Sequence, residues 1–239
     1  DLAHLDSQHV RLFAARSQRI RPGCDDKILT SWNALMIEGL ARAARIFKRP
    51  DWQAAARRAV DFLRTTHWQN GRLLATSRHG KAHLPAYLDD HAFLLSALLE
   101  LMNSDPRPAD LEFARELADA LLTQFEDENN GGFFFTAHDH EALIQRPKTA
   151  HDNALPSGNG VAALALRRVL IEGNIGLDRH DNGRLHNYLN RTTRFLQSDK
   201  WHGARLTTIR SVLNTYDTEI PLTRQAMQIA LHDIGWQLA

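Results

Sequence analysis

The sequence predicts an all-α protein, built of helical hairpins packed side by side in a curved or toroidal array. Three observations predict it. One layout recurs three times along the chain, apolar residues within each recurrence fall at helical spacing, and each unit closes on a short Gly-led apolar run. The units run from Ile28 to about Leu74, from Leu88 to Phe135 and from Ser157 to Leu206. Gly71 to Gly131 is 60 residues and Gly131 to Gly203 is 72, longer than ordinary short helical repeats.

Each element follows from its own residues. A preceding helix is predicted over 2–18. In the first unit Ser31-Trp32-Asn33 opens a helix with Leu35, Met36, Leu40, Ala43 and Phe47 on one side. Pro50 stops it, and Asp51 is placed to cap the next. That next helix carries Ala55, Ala59, Phe62 and Leu63 on its apolar side. Asp89-Asp90 opens the second unit, with Phe93, Leu94, Ala97, Leu98 and Leu101, then Leu111, Ala114, Leu117, Ala118, Leu121 and Phe125. Ser157-Gly158-Asn159 opens the third, with Val161, Leu164, Ala165, Val169 and Leu170, then Leu185, Leu189, Thr193 and Leu196. One more helix is predicted over 221–236. The runs Asn70–Leu74, Asn130–Phe135 and His202–Leu206 are too short for helices and suit β-ribbon or extended connectors. No composition shift divides the chain, so residues 1–239 are expected to form one partial toroid domain.

Composition narrows the function. Lys and Arg number 29 against 28 Asp and Glu, so the net charge of +1 gives no pull toward nucleic acid or an anionic membrane. No apolar run approaches the roughly 20 residues that span a bilayer. The opening Asp1-Leu2-Ala3-His4 has neither the basic nor the apolar region of a signal peptide. Cys24 is the only cysteine, which excludes an intrachain disulfide and a CxxC redox pair. A reducing, cytoplasmic setting is therefore expected. Asp25 and Asp26 beside Cys24 would raise its thiol pKa, so a reactive nucleophile is not expected there.

The repeat itself suggests a site. Equivalent helices of such an array point the same way, so their N-termini, with unpaired N–H groups and partial positive charge, gather on one rim. Trp32, Asn33, Tyr87, Asp89, Asp90, His91, Ser157 and Asn159 lie at those ends. Aromatic rings that stack on sugar faces, beside carboxylates and amides that bind hydroxyls, suit a small carbohydrate-like ligand. Ser, Asp and Asn are also the common helix caps, and Trp32, Tyr87 and Phe133 equally suit the core. His91 is a candidate acid or base, or a buried structural histidine. A dense loop, Arg146 to Pro156, adds Arg146 and Lys148 for an anionic group and Asp152 as a carboxylate partner for Asp90. Paired carboxylates are the minimum for glycoside hydrolysis, and a loop salt bridge from Asp152 to Arg146 or Lys148 is the plain alternative. His138-Asp139-His140-Glu141 lacks metal-site spacing, and no metal or cofactor is expected.

Four ordered motifs carry a resemblance covering about residues 10–200. They are Arg21-Pro22 with Asp25 to Asn33, Tyr87-Leu88-Asp89-Asp90, Gly131-Gly132-Phe133-Phe134, and Arg146-Pro147-Lys148 with Asp152 to Asn159. They resemble the YyaL-like, spermatogenesis-associated, thioredoxin-domain-containing family. That resemblance implies a six-hairpin glycosidase-like (α/α) toroid and a carbohydrate-type cleft. No stretch of these 239 residues is expected to form the thioredoxin-like domain of that family, and the hairpins expected among them are too few to close a ring of six.

Two functions follow as expectations. The first is a sugar-processing or sugar-binding toroid segment. Asp90 and Asp152 would carry isomerase or hydrolase chemistry between stacking walls Trp32, Tyr87 and Phe133, with Asn33, Asn159, Arg146 and Lys148 on polar groups. The second is a non-catalytic helical scaffold that self-associates or docks with missing toroid or thioredoxin-like parts.

Overall fold

The computed structural model describes residues 2–171. The second helix expected in the third unit, the run His202–Leu206 and the helix expected over 221–236 lie outside the described residues.

Helix α1 spans Leu2–Ser17 and none of its residues is buried. After it come β1 (Ile28–Leu29), α2 (Thr30–Phe47), α3 (Pro50–Thr66), β2 (Trp68–Gln69), β3 (Arg72–Arg78) and β4 (Lys81–Pro85). Then follow α4 (Leu88–Met102), α5 (Pro108–Ala120) and α6 (Gly158–Ile171). Helix α2 ends where Lys48 turns left-handed, at φ 53°. Pro50, rather than merely stopping α2, is the first residue of α3, where its missing N–H has no partner to lose. Asp51 therefore lies inside the first turn instead of capping it, and it pairs with Arg49 at 2.7 Å.

The helices form two layers. Helix α4 is central, lying between α2 and α6, with α5 against it and α3 against α2. Every residue from Phe93 to Leu101 is buried, Phe93, Leu94, Leu95 and Leu98 completely. Each such side chain withdrawn from water contributes roughly 1.5–3 kcal/mol. The neighbouring face of α2 is built from Thr30, Ala34, Ile37, Ala41 and Ala44. The stripe expected there is displaced: Leu35 and Leu40 only flank the core, while Met36 and Phe47 are exposed. On α3 the buried face is Ala56, Val60 and Leu63, and Phe62 points partly outward.

The Gly-led connector after α3 is a small antiparallel sheet. Strand β3 pairs with β1, β2 and β4. Two two-residue turns close its hairpins, Asn70-Gly71 (φ 52° and 73°) and His79-Gly80 (φ 51° and 75°). Positive φ at both central residues matches the right-handed strand twist. Among the described residues the second Gly-led run makes an isolated bridge, Phe133 to Glu126. A buried triad locks this sheet to the helices. The Thr30 hydroxyl donates to the Leu74 carbonyl at 2.6 Å and accepts from His67 Nδ1 at 2.7 Å. His67 Nε2 then accepts from the Ser77 hydroxyl at 2.8 Å. Burial lowers the His67 pKa, which keeps the ring in this neutral tautomer.

Helices α2, α4 and α6 are fastened at both ends. At their C-terminal ends the buried Glu100 carboxylate accepts from Arg45 at 2.8 Å, with Arg42 at 3.6 Å and Arg168 at 3.9 Å. At the opposite ends Asp90 ties α4 to α2, and Asp89 lies against Gly158 at the start of α6.

Candidate functional site

The first turn of α4 lies between the first turns of α2 and α6. Consecutive helical residues differ by about 100° in direction, so Asp89 and Asp90 face different neighbours. Asp90 reaches back toward α2. Its Oδ1 accepts the Ser31 N–H and its Oδ2 the Tyr87 N–H, both at 2.9 Å. It is 4% exposed, and burial raises its pKa to about 6 against the opposing pull of these donors. With both oxygens held by main-chain groups, Asp90 fastens two helix starts. That is a different role from the catalytic one expected of it.

Asp89 faces α6. Its carboxyl lies so close to Gly158 that any side chain at 158 would collide with it. Among the described residues nothing donates a hydrogen bond to Asp89, and burial alone raises its pKa to about 6. A carboxyl that titrates there holds a proton part of the time near neutrality, so it can both give and take one.

Rings gather around Tyr87, the N-cap residue of α4. Tyr87 stacks on Phe135 at 4.9 Å and 11°, with His140 tilted against its ring at 5.8 Å. His91 is buried, and its Nδ1 donates to the Tyr87 carbonyl at 3.0 Å. Burial pushes the His91 pKa down to about 4, so the imidazole is neutral. Its ring packs on Phe125 at 4.8 Å. Phe125 is set there by the widened i→i+5 turn over Leu121–Phe125 that ends α5.

The remaining expected residues separate into rim and framework. Trp32 is 61% exposed on the first turn of α2. Asn33 beside it donates from Nδ2 to the Leu29 carbonyl at 2.8 Å. Phe133 is wholly buried, so its ring belongs to the core rather than to a stacking wall. Asn159 is equally structural: its Oδ1 accepts the Phe133 N–H at 2.7 Å, and its Nδ2 donates to the Phe133 and Thr149 carbonyls at 2.9 Å. Ser157 caps α6 by accepting the Gly160 N–H at 3.4 Å.

The cations of the loop are tied down. Lys148 donates to Asp127 Oδ2 at 2.7 Å and to the Gly131 carbonyl at 2.9 Å, stapling the Asp127–Gly132 turn. Arg146 lies over the Phe134 ring at 4.0 Å and donates to the Thr136 carbonyl. Asp152 is exposed, and its Oδ1 accepts the Ser157 N–H at 2.9 Å. Among the described residues no salt bridge from Asp152 to Arg146 or Lys148 forms; Lys148 pairs with Asp127 instead.

Sequence reasoning missed Phe135, His140 and Gly158 as neighbours of the site. The Asp89-Gly158 approach carries a faint sequence signal, the Gly-Asn-Gly at a helix start. Among the described residues no group of three or more His, Cys, Asp or Glu is arranged to hold a metal ion. Among them, too, no helix is long and apolar enough to cross a membrane.

Known proteins give this geometry a context. No family model matches the chain. It is 32% identical to human spermatogenesis-associated protein 20 over 176 residues, 69% of this chain and 22% of the human protein. It is 28% identical to the uncharacterized protein B0495.5 of Caenorhabditis elegans over 173 residues, 69% of this chain and 24% of that protein. The chain thus spans less than a quarter of these curated relatives. Among solved structures it superimposes on cellobiose 2-epimerase from Bacillus thermoamylovorans with a TM-score of 0.56 at 12% identity. That match covers 71% of this chain and 46% of the epimerase. D-mannose isomerase matches with a TM-score of 0.55 at 13% identity, covering 74% and 45%. The GH76 α-mannanase of Bacteroides thetaiotaomicron matches with a TM-score of 0.59 at 14% identity, covering 83% and 55%. The fold is that of the six-hairpin (α/α) toroid, present here in part.

Proposed function

We propose, for a chain homologous to spermatogenesis-associated protein 20 over about 70% of its length, that the helix-start rim is a sugar site with Asp89 as its acid–base carboxyl. The observation that carries the reading is Asp89 itself: a partly buried carboxyl with no hydrogen-bond donor among the described residues and a pKa raised to about 6. Sugar chemistry asks for such a group. A protonated carboxyl gives its proton to a glycosidic or carbonyl oxygen, and the carboxylate recovers one from water or from a sugar carbon. Asp90, one residue on, holds α2 and α4 in register so that Asp89 keeps its direction. The stacked pair Tyr87–Phe135 and the exposed Trp32 offer flat apolar surface for a pyranose face. Support also comes from the folds this segment shares, whose named members act on cellobiose, mannose and mannan.

The test is calorimetric titration of the folded chain with neutral mono- and disaccharides, glucose, mannose, cellobiose and mannobiose, alongside an assay for epimerised, isomerised or cleaved products. Binding that weakens at least tenfold in Asp89→Asn, with an unchanged circular dichroism spectrum, supports the reading. A folded chain that binds none of these sugars overturns it.

A further inference from the structure

Three Asn-Gly steps occur among the described residues, and the fold treats them differently. At such a step the next backbone nitrogen can reach the asparagine side-chain carbonyl with little hindrance, because glycine has no Cβ to stand in the way. Asn159-Gly160 lies in the first turn of α6 and is locked. Asn159 is buried, its amide oxygen and nitrogen are both engaged, and the Gly160 N–H donates to the Ser157 hydroxyl. Asn130-Gly131 is tethered. Asn130 Nδ2 donates to the Asp127 carboxylate at 3.2 Å, and the Gly131 N–H donates to the Asp127 carbonyl at 2.8 Å.

Asn70-Gly71 has neither protection. Both residues are exposed at the tip of the β2–β3 hairpin. Among the described residues no hydrogen bond holds the Asn70 amide, and a Cβ built on Gly71 would meet nothing within 4 Å. Attack requires Asn70 to swing out of its left-handed turn conformation, φ 52°. Strand β2 is two residues long, so opening the tip breaks few hydrogen bonds.

We propose that Asn70 is a site of spontaneous modification, deamidated through attack by the Gly71 nitrogen. That nitrogen gives its proton to hydroxide and forms a bond to Asn70 Cγ. The Cγ–Nδ2 bond breaks, and the side-chain nitrogen takes a proton from water and leaves as ammonia. Water then opens the cyclic imide at either carbonyl, giving aspartate or isoaspartate, and nothing is oxidised or reduced. Either product places a carboxylate where a neutral amide stood. Isoaspartate also adds one carbon to the backbone of a turn set by the Gln69–Arg72 pairing.

Incubating the folded chain in oxygen-18 water at pH 8.5, followed by peptide mapping with mass spectrometry, tests this. The Asn70 peptide is expected to gain an oxygen-18 carboxyl and to split into aspartate and isoaspartate forms, at least tenfold faster than the Asn130 and Asn159 peptides. The rate is expected to fall at pH 6.5, where hydroxide is scarcer. In urea the three steps are expected to convert at similar rates, which separates protection by the fold from the chemistry of the step itself. Asn70→Gln is expected to abolish the change at 70 and leave the other two peptides as they were. Asn182-Gly183 lies outside the described residues, and its peptide is read separately. An Asn70 that keeps its amide in the folded chain while the urea-unfolded chain converts overturns the proposal. So does conversion of Asn130 or Asn159 in the folded chain at the rate of Asn70.

Discussion

The carboxyl of Asp89 and the backbone of Gly158 approach so closely that a Cβ on residue 158 would fall 2.0 Å from Asp89 Oδ1. That contact joins the start of α4 to the start of α6, as Asp90 joins α4 to α2 through the Ser31 N–H. Of these two neighbouring carboxyls Asp90 fastens α4 to α2 through main-chain hydrogen bonds, while Asp89 lies against Gly158 with no hydrogen-bond donor among the described residues.

Gly158→Ala tests that approach. The atom in the way is the end of an Asp side chain, which can swing aside. Stability is therefore expected to change by no more than about 1 kcal/mol, partly offset by the better helix propensity of alanine. Sugar affinity is expected to fall because Asp89 is displaced. Thermal unfolding and titration calorimetry on the same sample separate the two effects.

Asp90→Ala is expected to act the other way round, through stability first. It strands two main-chain donors and removes two charge-assisted hydrogen bonds, a loss of about 3 kcal/mol. Urea denaturation of wild type and variant at pH 7 checks it; an unchanged midpoint would mean that the fastening does not hold.

His91 gives the fold an acid-side weakness. Its folded pKa of about 4 lies below the ordinary histidine value of 6.5, so between these values the unfolded chain binds more protons than the folded one. Its contribution is present above pH 6.5 and is lost as pH falls through about 4. Asp89 and Asp90 act oppositely: their raised pKa values favour folding below about 4 and lose that contribution as pH rises through about 6. Comparing urea midpoints of wild type and His91→Gln isolates the histidine. Wild type is expected to lose stability relative to the variant on going from pH 7 to pH 4.5.

Lys148→Met probes a residue that resembled a ligand-binding cation. It leaves the buried Asp127 carboxylate with main-chain and Asn130 donors only, so a loss of about 1–3 kcal/mol is expected. Sugar affinity is expected to change much less than in Asp89→Asn. A variant with full stability and no sugar binding would return Lys148 to the ligand.

The architecture was legible in the sequence where one helix face differs clearly from the other. Ala114, Leu117, Ala118, Leu121 and Phe125 are buried as their spacing requires, and so are Phe93, Leu94, Ala97, Leu98 and Leu101. Helix α2 misled because it is apolar on two sides. Its bulkier outward stripe looks like a core face, while the true core face is mostly alanine, chosen for close helix contact. The gathering of polar residues at the shared helix starts was legible, but the partner of each was not. Asp89 and Asp90 are adjacent and chemically identical, and only helical phase sends one to a main-chain donor pair and the other to Gly158. The partners of Arg146 and Lys148, Thr136 and Asp127, lie 10 and 21 residues away, and nothing in local pattern selects them. The same holds for His67, whose partner Thr30 is 37 residues distant.

The central claim is that Asp89 is a proton-exchanging carboxyl facing a sugar site. Carboxyl carbon-13 NMR titration, assigned by difference against Asp89→Asn, measures it most directly. Asp89 is expected to titrate near pH 6 and to shift its midpoint when a bound neutral sugar is added. A midpoint near 4, the ordinary aspartate value, unmoved by any sugar, would contradict the account.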